Sequence, residues 1–167
     1  MPFSNTDSLV AADANNMLRG VRRDNTTYSN TGNTNENDMA SWAMTGGTMT
    51  ATGALHIMAA GTITGAAGTK RIRLYFGATV IVDTTAVGAG SVSDWWMDAW
   101  VYNTASAAQR CVVLWHDPMN ATNFNMDYIT AAIDTTASVT VKVTAQNGAA
   151  GDTITETTFD AFVVQIA

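Results

Sequence analysis

The chain has 167 residues, 47% of them apolar and only 13% charged, a net charge of −6 and a pI near 4.5. That acidity excludes a binder held to nucleic acid mainly by charge, which needs a basic surface to displace phosphate counterions. The apolar content excludes a disordered chain, no apolar run is long enough for a membrane helix, and the single cysteine, Cys111, rules out an intramolecular disulfide.

Taken in chain order, residues 1–24 hold the one stretch with helical spacing. Ser8 or Asp7 can cap it, and Leu9, Val10, Met17, Leu18 and Val21 form a weak apolar stripe. Arg19, Arg22 and Arg23 lie together here and supply three of only eight basic residues. The start, MPFSNTDSLV, lacks a basic segment followed by an apolar one, so no secretory signal is expected. Residues 25–38, NTTYSNTGNTNEND, are polar with one aromatic, and read as an extended arm. The expected division is therefore a helix and arm over 1–38 and a folded domain over 39–167.

From residue 39 the texture changes to short runs rich in Thr, Val and Ile, separated by Gly or Asn/Asp clusters. MASWAMT and ALHIMAAGTIT come first. KRIRLYF alternates, with Ile72, Leu74 and Phe76 on one face, and TVIVDT after Gly77-Ala78 is the second arm of a hairpin. DWWMDAWVY and QRCVVLWHD form another pair across NTASAA, with Cys111 on the face of Val113 and Trp115 as a buried small hydrophobe. NMDYITAAI and SVTVKVTAQ follow, the latter with Val139, Val141 and Val143 facing in. TITETTFDAFVVQI ends the chain, apolar on both faces like a central strand. Eight or nine strands with no room for crossover helices predict an all-β fold, an antiparallel β-sandwich of jelly-roll type.

The strand at 94–102 has two apolar faces. Trp95, Met97, Ala99 and Val101 form one; Trp96, Trp100 and Tyr102, with Asp98, form the other. A half-buried strand needs only one. The second face is covered either by loops or the N-terminal segment of the same subunit, or by another copy of the chain. The enrichment of aromatic residues in interface cores favours the copy.

No catalytic constellation stands out. His56 and His116 lie far apart in sequence, His56 reading as a packed or surface residue and His116-Asp117-Pro118 as a strand end. GAAGTK at 65–70 has two residues between its glycines where a phosphate loop has four. No metal-ligand spacing occurs, and no cofactor is expected. The reading is a non-enzymatic structural or binding protein.

KRIRLYFGATVIVDTT, DWWMDAWVY and SVTVKVTAQNGAAGDTITETTFDAFVVQI together resemble a group of tailed-bacteriophage virion proteins over about residues 55–167, and more loosely at ADANNMLRG. The resemblance implies a short N-terminal helix and connector before a jelly-roll sandwich, and a capsid decoration (cement) or fibre protein, usually trimeric, located in the virion. It implies the major capsid protein as a partner, bound through the arm with Arg19, Arg22 and Arg23, and a homo-oligomer held through Trp96, Trp100 and Tyr102. The alternative is a fibre module that binds host carbohydrate or a receptor, with Trp42 or Tyr128 as stacking platforms if they stand in loops.

Overall fold

A computed structural model describes residues 18–65, 68–84, 92–116 and 124–164, and within them only the backbone at 18–20 and 92–93. Eleven strands account for nearly all of it: β1 (Leu18–Asp24), β2 (Tyr28–Thr31), β3 (Glu36–Met44), β4 (Ala54–Thr64), β5 (Lys70–Phe76), β6 (Thr79–Asp83), β7 (Val92–Ala105), β8 (Ala108–His116), β9 (Phe124–Ala131), β10 (Val139–Asn147) and β11 (Thr153–Val164). The described residues contain no helix.

The strands form two antiparallel sheets. The larger runs β1-β11-β4-β7-β8-β9, with β2 also on β11; the smaller runs β3-β10-β5-β6. The chain is an all-β sandwich. β1 pairs with Phe159–Val164 and β2 with Thr153–Glu156, so the two lie end to end along one edge of β11.

The period-two patterns read from the sequence decide which face each strand buries. Ile72, Leu74 and Phe76 of β5 and Val139, Val141 and Val143 of β10 face Leu55, Ile57, Trp95, Met97 and Val101 of the larger sheet in one core. Cys111 is wholly buried there beside Val113, as expected. Both expected hairpins form: β5 and β6 pair across Gly77-Ala78, with Gly77 at a φ of 58°, and β7 and β8 pair across Ser106-Ala107. Gly61 of β4 meets a bulge of β11 between Glu156 and Thr158; a Cβ there would stand 1.9 Å from the Thr155 carbonyl oxygen. Trp95 fixes the same place by donating its indole N–H to that carbonyl at 3.1 Å.

The N-terminal expectations change. Leu18 and Val21, assigned above to a helix, lie in strand β1. Residues 1–17, with the rest of that stripe, lie outside the described residues. The extended arm over 25–38 is replaced by β2, a turn and the start of β3, and the boundary drawn between residues 38 and 39 falls inside β3. Tyr28 packs against the core, and hydrogen bonds hold the rest of this polar stretch. Asn30 is buried and donates its amide to the carbonyls of Ala145 (2.8 Å) and Asn35 (3.1 Å); Asn37 donates to the Asn30 side-chain oxygen (3.0 Å), and Asn147 to the Asn30 carbonyl (2.9 Å). A polar run with few apolar residues can dock when buried amides complete each other's bonds in this way. At the opposite end, Asn103 and Gln109 do the same for the loops around Thr50 and Ile133.

Candidate functional site

The two outer faces of the sandwich differ in kind. On the smaller sheet, charged side chains find partners on the same surface. Arg71 bonds Asp83, Arg73 bonds both Asp83 and Glu36, and Lys142 bonds Asp38 at 2.7 Å while lying 5.3 Å over the Tyr75 ring. Burial alone would raise the Glu36 carboxyl. Hydrogen bonds from Thr144 (2.6 Å), Tyr75 (2.9 Å) and Arg73 outweigh it and hold the pKa below the ordinary value. This is a solvated face whose charges are mutually satisfied.

On the larger sheet the outer face is apolar. Cross-strand register sets its rows. One row reads Val21, Phe162, His56, Trp100, Val112 and Tyr128 from β1 to β9. The next reads Arg23, Asp160, Met58, Asp98, Leu114 and Met126. Ala60, Trp96, His116 and Phe124 lie beyond it; on the other side lie Val164, Ala54, Tyr102, Arg110 and Thr130. Every exposed large hydrophobic residue described (Val21, Met58, Phe124, Met126 and Tyr128) stands on this face, from 41% exposed at Met58 to 74% at Met126. Scattered exposed apolar residues need no explanation, but a contiguous patch marks an interaction surface.

At the centre, His56 stacks on Trp100 (ring centroids 4.3 Å apart), meets the edge of Phe162 at 4.8 Å, and places Nε2 3.0 Å from Asp98 Oδ1. Trp100 in turn stacks on Tyr102 at 5.8 Å, and Trp96 and His116 both lean on Phe124. A small hollow of about 140 Å³ lies between Met58, Ala60, Trp96 and Asp98. Such an aromatic ladder is stiff, and little side-chain freedom remains to be lost when something covers it.

Trp96, Trp100 and Tyr102 are thus brought together on one face, each part-exposed. The three arginines are not gathered. Arg22 and Arg23 are adjacent in a strand and point to opposite faces: Arg22 bonds Asp24, and Arg23 lies 3.4 Å from Asp160 on the outer face. Arg19 falls at the irregularity between Leu18 and Gly20, and its side chain is outside the described residues. Trp42 and Tyr128 stand in β3 and β9 rather than in loops; Trp42 packs against the core and Tyr128 is exposed on the apolar face. The sequence reading missed the breadth of the patch. Its signal was FNMDYITA, where Phe124, Met126 and Tyr128 recur at period two opposite Asn125 and Asp127. No group of acidic, histidine or cysteine side chains able to hold a metal occurs among the described residues.

No family model matches the chain. No curated protein matches it either. Among solved structures, winged bean acidic lectin in complex with methyl-α-D-galactose is 7% identical, over 88% of this chain and 93% of the lectin, with a TM-score of 0.38. A structure of infectious bursal disease virus, Gx strain, is 10% identical over 87% of this chain and 42% of the viral chain, with a TM-score of 0.31. Both overlaps are loose, and the fold is read from this chain's own strand pairing.

Proposed function

We propose that the chain is a non-enzymatic virion structural protein of the tailed-bacteriophage type, a capsid decoration subunit that works by assembly. The observation that carries the reading is the contrast between the two outer faces: charges are paired and solvated on the smaller sheet, while large apolar side chains are collected on the larger. A surface of the second kind exists to be covered by protein. The resemblance over residues 55–167 supports placing that assembly in a virion.

The strand order also fits. Setting β8 and β9 aside, β1/β2-β11-β4-β7 over β3-β10-β5-β6 is the order of a jelly roll, in which strands from the two halves of the chain alternate across both sheets. Jelly rolls serve capsid proteins and lectins alike, so the fold alone does not choose between them. The siting of Trp42 and Tyr128 in strands weighs against the carbohydrate alternative.

With residues 18–38 built into the sandwich, the anchoring role expected of residues 1–38 contracts to residues 1–17. The test is co-sedimentation of the full chain, and of a variant lacking residues 1–17, with undecorated phage capsids. Binding by the full chain and loss by the deletion is the expected result. A full chain that ignores capsids but binds on a glycan array would overturn the reading in favour of the fibre module.

A further inference from the structure

Among the described residues, one basic side chain on the apolar face meets no carboxylate of its own subunit. Arg22, Arg23, Lys70, Arg71, Arg73 and Lys142 each meet a carboxylate. Arg110, exposed on β8 beside Tyr102, has no carboxylate partner among the described residues. Asp98 stands on the same face in β7, part-exposed, and bonds His56 but no Lys or Arg among the described residues. Arg110 pairs in register with Tyr102, four residues along β7 from Asp98. At ~3.4 Å per residue that is ~14 Å, beyond the reach of an arginine in the same subunit.

A second copy closes this gap. We propose that the outer face of the larger sheet packs on the same face of another copy, about a two-fold axis running across the strands along the His56–Trp100–Val112 row. This rests on the assembly reading above and names the partner at its surface. The rotation sets that row on itself, so Trp100 faces Trp100. It carries the Tyr102–Arg110 row over the Asp98–Leu114 row, so Arg110 lies above Leu114, one strand aside from Asp98. Adjacent strands are ~4.8 Å apart and packed sheets ~10 Å apart, which the arginine side chain spans. The pair forms twice, once on each side of the axis. An axis along the strands would instead carry Arg110 over the Val164 end of β11, where the row Val164, Ala54, Tyr102 has no carboxylate.

Area and edge chemistry agree. Six strands by the rows from Trp96 to Tyr102 cover ~24 by ~20 Å. Two copies thus hide on the order of 1,000 Å², the threshold of a specific interface. Edge-to-edge pairing at β9 is guarded, because Asp127 takes up the Tyr128 backbone N–H (2.7 Å) and puts a carboxylate in the edge strand. A flat face that matches itself gives a closed two-fold dimer, not the trimer expected from the resemblance.

Sedimentation equilibrium of the full chain at micromolar concentration tests this. The expected mass is twice the 17.6 kDa chain. Arg110→Asp and Asp98→Arg should each weaken the dimer tenfold or more, and the doubly swapped protein should recover it. Should Asp98→Arg disturb folding through His56, Tyr128→Cys gives an independent readout. Tyr128 is exposed on the axial row, and a short bismaleimide should link two copies there while buried Cys111 stays silent. A wild-type monomer, a trimeric mass, or a dimer untouched by Arg110→Asp and not cross-linked through residue 128 would overturn the proposal. Capsid co-sedimentation separates its failure from that of the functional reading: a monomer that still binds capsids through residues 1–17 leaves the decoration role standing.

Discussion

Replacing Glu156 with glutamine should stabilise the protein at neutral and higher pH and leave it nearly unchanged at pH 4. Glu156 sits at the β11 bulge with no exposed surface, and neither carboxylate oxygen has a hydrogen-bond partner. Desolvation raises its pKa first, and the negative charge of Asp24 adds to the push; the nearby Thr158 N–H offsets part of it without reaching hydrogen-bond geometry. The result is a rise from 4.5 to about 7. A carboxyl held above its unfolded value binds its proton more tightly when folded. Its contribution to stability is therefore full below pH 4.5 and lost as pH rises through 7. At about 1.4 kcal/mol per tenfold change in proton affinity, the loss is about 3 kcal/mol by pH 8. Glutamine matches the protonated acid in shape and cannot ionise. Urea unfolding followed by tryptophan fluorescence should show wild type losing stability from pH 4 to 8 relative to Glu156→Gln. Parallel pH profiles for the two proteins would refute the argument.

Burial pushes the Cys111 thiol up to about 11, so native protein should resist iodoacetamide at pH 8 and react fully in urea, as mass spectrometry would show. Asn30→Ala removes three side-chain hydrogen bonds, to the Ala145 and Asn35 carbonyls and from Asn37, the first of them buried, which should cost about 2–3 kcal/mol in a urea titration. A 39–167 fragment loses β1, β2 and the start of β3, and should show no cooperative thermal transition, whereas 18–167 should keep one.

The central strands were legible because each carries its own period-two signal. KRIRLYF and SVTVKVT name the buried face by alternation alone, DWWMDAWVY shows a strand with two apolar faces, and the turns at Gly77-Ala78 and Ser106-Ala107 set the hairpins. The N-terminal strands were not legible. β1, with the sequence LRGVRRD, puts Val21 and Arg23 outward and Arg22 and Asp24 inward, so its pattern is polar on both faces. What makes it a strand is the open edge of β11, more than 130 residues away, and no local pattern records a distant edge. The asparagine run failed for the same reason. Asn30, Asn37 and Asn147 look like linker residues until the fold closes them into one network.

The question posed by two apolar faces on one strand has its answer in the strands beyond it. β7 is not an edge; β8 and β9 extend the sheet past the eight-strand jelly-roll unit. β8 also feeds the core through Cys111 and Val113, but β9 adds little to it: most of β9 is exposed and only Ala131 is buried. What both add is outer surface. Val112, Leu114, Phe124, Met126 and Tyr128 carry the rows of Trp96, Asp98 and Trp100 outward by two strands. Exposed aromatic and methionine side chains on an edge strand are an aggregation liability in a monomer. The same residues are an asset where a second surface covers them. An edge strand that buries little, and places Phe124, Met126 and Tyr128 on the face already lined by Trp96, Trp100 and Tyr102, is what the proposed docking surface would use.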